Sequence, residues 1–301
     1  MNRIVVAAAL AGLLVAGLAP SWVPAAGAPS VGLAISTLNN PFFVDLRDGA
    51  QAEAAKLGVT LIVLDAQNDP AKQASSVEDL IARKVAAVII NPTDSDAIVP
   101  TVKKLNAAKI TVVTVDRSAN GGVVAAHIAS DNVAGGMMAA AYVGKRLNGR
   151  GNVVMLEGIP GSSAARDRGQ GFREGLKKFP GIKIVAAQTA NFDRAQGLTV
   201  MENILQAQKK IDAVFSQNDE MALGAIQAIG AANRSKEMFV VGFDAIADAL
   251  KAIHDGKMAA TIAQQPKVMG QLAVQATATL LKGGKVAKFT PVPLKLVTQS
   301  P

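Results

Sequence analysis

Short apolar runs rich in β-branched residues alternate along this chain with longer amphipathic stretches, and few folds accept that alternation. Runs of strand length fall at 31–36, 59–65, 85–90, 110–116 and 123–128, then at 152–157, 182–187, 212–216, 238–243, 258–263 and 292–297. Helical periodicity fills most of the gaps, over 42–57, 70–83, 95–108, 132–147, 166–179, 194–208, 219–231, 245–255 and 266–282. Gly58, Gly149, Gly175, Gly181 and Gly256 stand at or near the expected helix ends. Such alternation predicts parallel sheets covered by helices on both faces.

These strands are too many for one small doubly wound domain, and the pattern runs twice. In the first half, strands end in Asn91-Pro92-Thr93-Asp94 and in Asp116-Arg117; in the second, in Asn218-Asp219-Glu220 and in Phe243-Asp244. Each half therefore offers an amide at one strand end and a carboxylate at the next. The expected architecture is α/β: two similar doubly wound parallel-sheet lobes facing each other across a cleft. No low-complexity linker separates them, so the lobes must share tight crossings. In open α/β sheets, ligands bind beyond the carboxyl ends of the strands.

Residues 1–28 are set apart from this fold. Arg3 supplies a positive start, residues 4–18 form an apolar run of 15, and Val23-Pro24-Ala25-Ala26-Gly27-Ala28 offers small residues for cleavage. The run is too short for a comfortable membrane span, and the pattern is that of a secretory signal peptide. A cut after Ala28 would leave Pro29 first, so Ala25 and Gly27 are equally suitable. Export predicts a soluble protein in a periplasm. The single tryptophan, Trp22, leaves with the leader, so stacking in the mature chain falls to Phe, Tyr or His. The absence of cysteine excludes disulfides, thiolate nucleophiles, cysteine metal sites and a lipid-anchored cysteine. The net charge is +8, but the basic pairs Lys103-Lys104, Lys145-Arg146, Lys177-Lys178 and Lys209-Lys210 lie near expected helix ends. Cations complement the helix dipole there, so the charge reads as capping and solubility, and no nucleic-acid partner is expected.

Catalytic patterns are missing. His127 sits in a strand and His254 near a helix end, neither within a hydrolase pattern. There is no G-x-S-x-G elbow, no phosphate-binding loop and no calcium-site spacing. The chain is therefore expected to be no enzyme and to need no cofactor or metal. What remains is a set of polar and aromatic residues at strand ends. Asn39-Asn40-Pro41-Phe42-Phe43 follows the first strand; Asn40 suits a helix cap and Pro41 the first turn. Adjacent phenylalanines do not share a helix face, so one core stripe does not account for both. Asp116 and Asp244 can accept charge-assisted hydrogen bonds from hydroxyls. Arg117 and Arg166 supply planar donor forks. Asn40, Asn91, Asn218 and Gln264 offer donor and acceptor together, and Phe42, Phe43 and Phe192 can cover the C–H faces of a sugar. Taken singly, most have plainer roles: Asn91 and Asn218 as helix caps, Asp116-Arg117 as a solvated loop pair, Phe192 as a hydrophobic staple, and Arg166 as one charge in an ordinary helix start. Their joint position at strand ends is what points to a polyhydroxyl ligand.

These stretches also carry a resemblance. Residues 36–43, Ile90-Asn91-Pro92-Thr93-Asp94-Ser95-Asp96, His127-Ile128-Ala129-Ser130-Asp131-Asn132, Ser162-Ser163-Ala164-Ala165-Arg166, Phe192-Asp193-Arg194, residues 217–224, Val241-Gly242-Phe243-Asp244 and Ala260-Thr261-Ile262-Ala263-Gln264 occur in one order over nearly the whole mature chain. In these the chain resembles the type I periplasmic sugar-binding proteins of bacterial ABC transporters, and most of all the ribose-binding members. The resemblance implies sugar contacts at Asn40, Phe42, Phe43, Asn91, Asp116, Arg117, Arg166, Phe192, Asn218, Asp244 and Gln264. It implies a monomeric receptor for D-ribose or a close pentose that docks on a membrane ABC permease and, in some systems, a chemoreceptor. Allose, a polyol or a furanosyl signal remain alternatives within the family. The effector core of a LacI-type repressor shares the fold but needs an N-terminal helix-turn-helix where this chain has an apolar leader. The resemblance further implies three hinge crossings, near Ser130-Asp131, near Gln264-Gln265 and around Pro291 to Leu294. The lobes would then comprise 29–130 with 265–290, and 131–264 with 291–301. Pro293 stands where an acidic residue is common, which bears on hinge stiffness.

Overall fold

A computed structural model describes residues 28–299; the leader reading and Trp22 lie outside that range, except for Ala28. The first sheet is built from β1 (Ser30–Ile35), β2 (Thr60–Asp65), β3 (Ala87–Ile90), β4 (Thr111–Val115) and β5 (Ala126–Ser130). The second is built from β6 (Arg150–Glu157), β7 (Gly181–Thr189), β8 (Ala213–Ser216), β9 (Phe239–Asp244) and β10 (Ala260–Ala263). The last strands, β11 (Phe289–Val292) and β12 (Lys295–Thr298), divide between them. The orders are β11-β5-β4-β3-β1-β2 and β12-β10-β9-β8-β6-β7. The same order therefore occurs twice, which is the duplication expected from the alternating strand ends. All pairings are parallel except that of β12 with β10.

Both faces of each sheet are buried, which is why its strands read as unbroken apolar runs. In the first lobe Leu33, Ile35 and Ile89 pack with Leu46 and Met269, while Val88 and Ile90 pack with Val77, Leu80 and Leu105. In the second, Val154 and Leu156 face Met201 and Met221, while Val153 and Met155 face Phe172 and Phe215. The helices are α1 (Pro41–Leu57), α2 (Pro70–Ala82), α3 (Val99–Ala107), α4 (Asn132–Arg146), α5 (Ser163–Leu176), α6 (Arg194–Ala207), α7 (Asp219–Ala231), α8 (Ala247–His254) and α9 (Pro266–Leu281). Among the described residues, no helix is long and apolar enough to cross a membrane.

Three differences from the sequence expectation matter. First, α5 begins at Ser163 rather than 166. Second, the single strand expected at 292–297 is two strands in different sheets, broken at Pro293-Leu294. Third, the expected lobe boundary at 290/291 moves, because Pro291 and Val292 pair with Ala129 and Ser130 of the first sheet. Pro291 is tolerated there because β11 is an edge strand. The chain thus passes between the sheets from β5 to α4, from β10 to α9 and from β11 to β12. The last two passages are tied together, with Gln265 Nε2 donating to the Pro293 carbonyl at 3.0 Å.

Candidate ligand-binding site

The carboxyl ends of the two sheets face each other across a small cavity. Asn40, Phe42, Phe43, Asp116 and Arg117 line it from the first lobe. Ala164, Arg168, Phe192, Asn218, Asp244 and Gln264 line it from the second. The lobes also touch beside it: Ser95 N–H donates to the Gly161 carbonyl at 3.0 Å, and Ser118 N–H to Ser163 Oγ at 2.9 Å.

Local sequence explains how each group reaches the cavity. Asn40 caps α1, its Oδ1 accepting from Phe42 N–H at 2.9 Å. The adjacent Phe42 and Phe43 meet edge to face, with centroids 5.1 Å apart and rings at 89°. Both are buried. Phe192 enters from the other lobe, its ring resting on Gly158, where a Cβ would lie 2.0 Å from Cζ. Arg117 sits between these walls, 5.1 Å from the Phe43 centroid and 5.4 Å from that of Phe192. Asn218 caps α7 through Met221 N–H at 2.9 Å and donates to the Phe192 carbonyl at 3.2 Å.

The two carboxylates are held alike on opposite lobes. Asn91 Nδ2 donates to Asp116 Oδ2 at 3.1 Å, and Gln264 Nε2 to Asp244 Oδ1 at 2.8 Å. Arg117 Nε lies 3.7 Å from Asp116, and Arg168 lies 3.5 Å from Asp244. Arg168 is fixed in turn by bonds to Asn132 Oδ1 at 2.8 Å and the Gln217 carbonyl at 2.7 Å. Three of the lining residues have backbone φ values rarely adopted by side-chain-bearing residues: Asp116 at 63°, Phe192 at 58° and Asp244 at 122°. Such strain gathers at ligand clamps, where the surrounding fold over-determines it.

Burial dominates the electrostatics. It pushes Asp116 above the ordinary carboxylate range against the pull of Arg117 and Arg168. It pushes Asp244 up to about 7, against Arg168 and the Gln264 hydrogen bond. It also lowers Arg117 to about 10 and lowers Arg168. Arg117 Nε and Gln264 Oε1 are buried and have no hydrogen-bond partner among the described residues. A buried donor and a buried acceptor left unpaired are costly, and a ligand hydroxyl, which both donates and accepts, satisfies either. Two charge pairs, an unpaired amide oxygen and flat rings are the chemistry that suits a polyhydroxylated ring.

Nine residues expected at the site converge on the cavity, and two do not. Asn91 is fully buried behind Asp116, accepting from Ser36 N–H at 3.2 Å, so it supports the carboxylate instead of lining the space. Arg166 points away: its side chain is about half exposed and pairs with Asp167 at 2.8 Å. Arg168 lines the cavity in its place. Two positions along an α-helix turn roughly 200°, so only one of these arginines can face the cleft. The signal that separates them was the helix start, Ser162-Ser163, which sets the facing side three residues earlier than expected.

A family model described as a periplasmic binding protein domain matches residues 31–285. The chain is 52% identical over 270 residues to the ribose import binding protein of Bacillus subtilis (strain 168), covering 90% of this chain and 87% of that one. It is 34% identical to the D-allose-binding periplasmic protein of Escherichia coli (strain K12), covering 87% of this chain and 88% of the relative. Among solved structures, the Caulobacter myo-inositol binding protein bound to myo-inositol superposes with a TM-score of 0.87 at 38% identity, covering 92% of this chain and 95% of that one.

Proposed function

The chain belongs to the periplasmic binding protein family, and from that premise we propose that its interlobe cavity captures D-ribose for delivery to an ABC permease. The observation that carries the reading is the pair of buried carboxylates, Asp116 and Asp244, presented from opposite lobes with an arginine beside each. Identity of 52% to a ribose import binding protein supports ribose as the ligand, against 34% to an allose-binding one.

In the proposed cycle, sugar enters between parted lobes and meets the Phe42-Phe43 wall. Closure then brings Phe192, Arg168, Asn218 and Asp244 onto its other side. Ring hydroxyls donate to Asp116 and Asp244 and accept from Arg117 and Arg168. A site built for hydroxyls rejects analogues lacking one, because its buried partners are left unpaired. No step breaks a covalent bond, so the protein is a receptor rather than an enzyme. It works in the periplasm as a monomer, docking its closed form on the permease and, where one exists, on a chemoreceptor.

Titration calorimetry against ribose, allose, arabinose and myo-inositol tests the assignment. D-Ribose is expected to bind with a micromolar or lower Kd, about −8 kcal/mol or beyond, and at least 100-fold more tightly than the others. Preference for another sugar would overturn the ribose assignment, and binding of none would overturn the receptor reading.

A further inference from the structure

Asp219, the first residue of α7, is fully buried yet does not line the cavity. Its carboxylate rests on the face of the second sheet at a bare spot. Gly242 of β9 pairs in register with Thr261 of β10, and a Cβ on Gly242 would lie 2.1 Å from Asp219 Oδ1. Thr261 Oγ1 donates to Asp219 Oδ1 at 2.8 Å, and Ile246 N–H donates to Oδ2 at 3.0 Å. Thr261 Oγ1 also accepts from Ala245 N–H at 3.4 Å. Asp219 and Thr261 therefore grip consecutive backbone amides just beyond Asp244. The backbone is strained there, with φ of 122° at Asp244 and 63° at Ala245.

This turn aims the Asp244 side chain. If it relaxed, the carboxylate would leave Gln264 and Arg168. Burying an acid and spending both its oxygens on one turn is costly, and the sheet beside it has given up a side chain at Gly242 to admit it. Burial and the neighbouring Asp244 charge push Asp219 well above the ordinary carboxylate range, while the bonds from Thr261 and Ile246 oppose the rise. We propose that Asp219 is a positioning residue for ligand capture, holding the Asp244-Ala245-Ile246 turn so that Asp244 stays directed into the cleft. The role rests on the sugar-receptor reading, and its test is arranged so that the two can fail separately.

The experiment compares wild type, Asp219→Ala, Asp219→Asn and Thr261→Val by calorimetry with D-ribose, and by amide hydrogen exchange without sugar. Asp219→Ala is expected to weaken ribose binding at least tenfold and to speed exchange at Ala245 and Ile246. Asp219→Asn keeps an acceptor for Ile246 N–H and is expected to restore affinity to within about threefold of wild type. Thr261→Val removes one of the two grips while keeping the side-chain shape, and is expected to cost three- to tenfold. It carries the test if Asp219→Ala does not fold. Unchanged affinity and exchange in Thr261→Val, or in a folded Asp219→Ala, would overturn the role. So would an Asp219→Asn protein as weak as Asp219→Ala, since the charge rather than the grip would then matter. Failure of wild type to bind ribose would instead strike the receptor reading, and the exchange data would still decide whether Asp219 holds the turn.

Discussion

Arg166 and Arg168 share one helix and face opposite ways, one paired with Asp167 at the surface and the other buried against Asp244. Breaking a buried, hydrogen-bonded charge pair costs about 2–5 kcal/mol. Arg168→Ala is therefore expected to weaken ribose binding at least about 30-fold, while Arg166→Ala stays within about twofold; calorimetry on both variants checks the contrast. The residue types at the candidate site were legible in the sequence, because Asp116 and Asp244 stand at the ends of apolar strands and the phenylalanines lie within a few residues of others. Which arginine faces inward was not, since it depends on a helix phase that shifts with each residue of uncertainty in the start. The depth of Asn91 was not legible for a related reason: sequence locates a strand end but not the layer in which a side chain stops. Asp244 adds a pH dependence. With only protein groups around it the acid sits at about 7, above its usual 3.8, so below 7 it holds a proton. Hydroxyl donors favour the charged form, so binding must expel that proton and strengthens as pH rises. Affinity is expected to be about tenfold weaker at pH 6 than at pH 8, with proton release visible as a buffer-dependent binding enthalpy. Flat affinity across that range would contradict the assignment.

The loop entering α5 meets the loop entering α3 across the cleft. Gly161 has φ of +83°, and a Cβ there would lie 1.9 Å from Asp94 Oδ2. Asp94 is not free to retreat, because its carboxylate accepts from Asp96 N–H and Ala97 N–H, both at 2.8 Å. Gly161→Val is therefore expected to keep each lobe folded while preventing the lobes from meeting. Ribose affinity should fall at least tenfold, and small-angle scattering should show no contraction on adding sugar. Compaction equal to wild type would show that the contact is dispensable. Strand and helix identities were legible because burial on both faces imposes unbroken apolar runs. The terminal stretch was not, because residues 289–298 form two short edge strands with no period of their own. Their division between sheets is set by the proline between them and by partners far away in sequence.

At the scale of the whole molecule, the proposed cycle makes closure and capture one equilibrium. Ligand at 100 times its Kd stabilises the bound state by about 2.7 kcal/mol, so ribose is expected to raise the melting temperature by several degrees while allose does so less. Dye-based thermal shift serves for this, since the only tryptophan, Trp22, lies outside both lobes as the sequence divides them. Equal shifts for both sugars would argue for a broader receptor. The threefold passage of the chain between sheets has a further consequence, for the order in which the molecule can come into being. α9 and β11 complete the first lobe, and β12 completes the second. A chain emerging from its N-terminal end therefore finishes neither lobe until its last residues appear. Such long-range closure favours slow assembly. Until β11 and β12 are in place neither sheet has its last strand, so neither lobe can lock early.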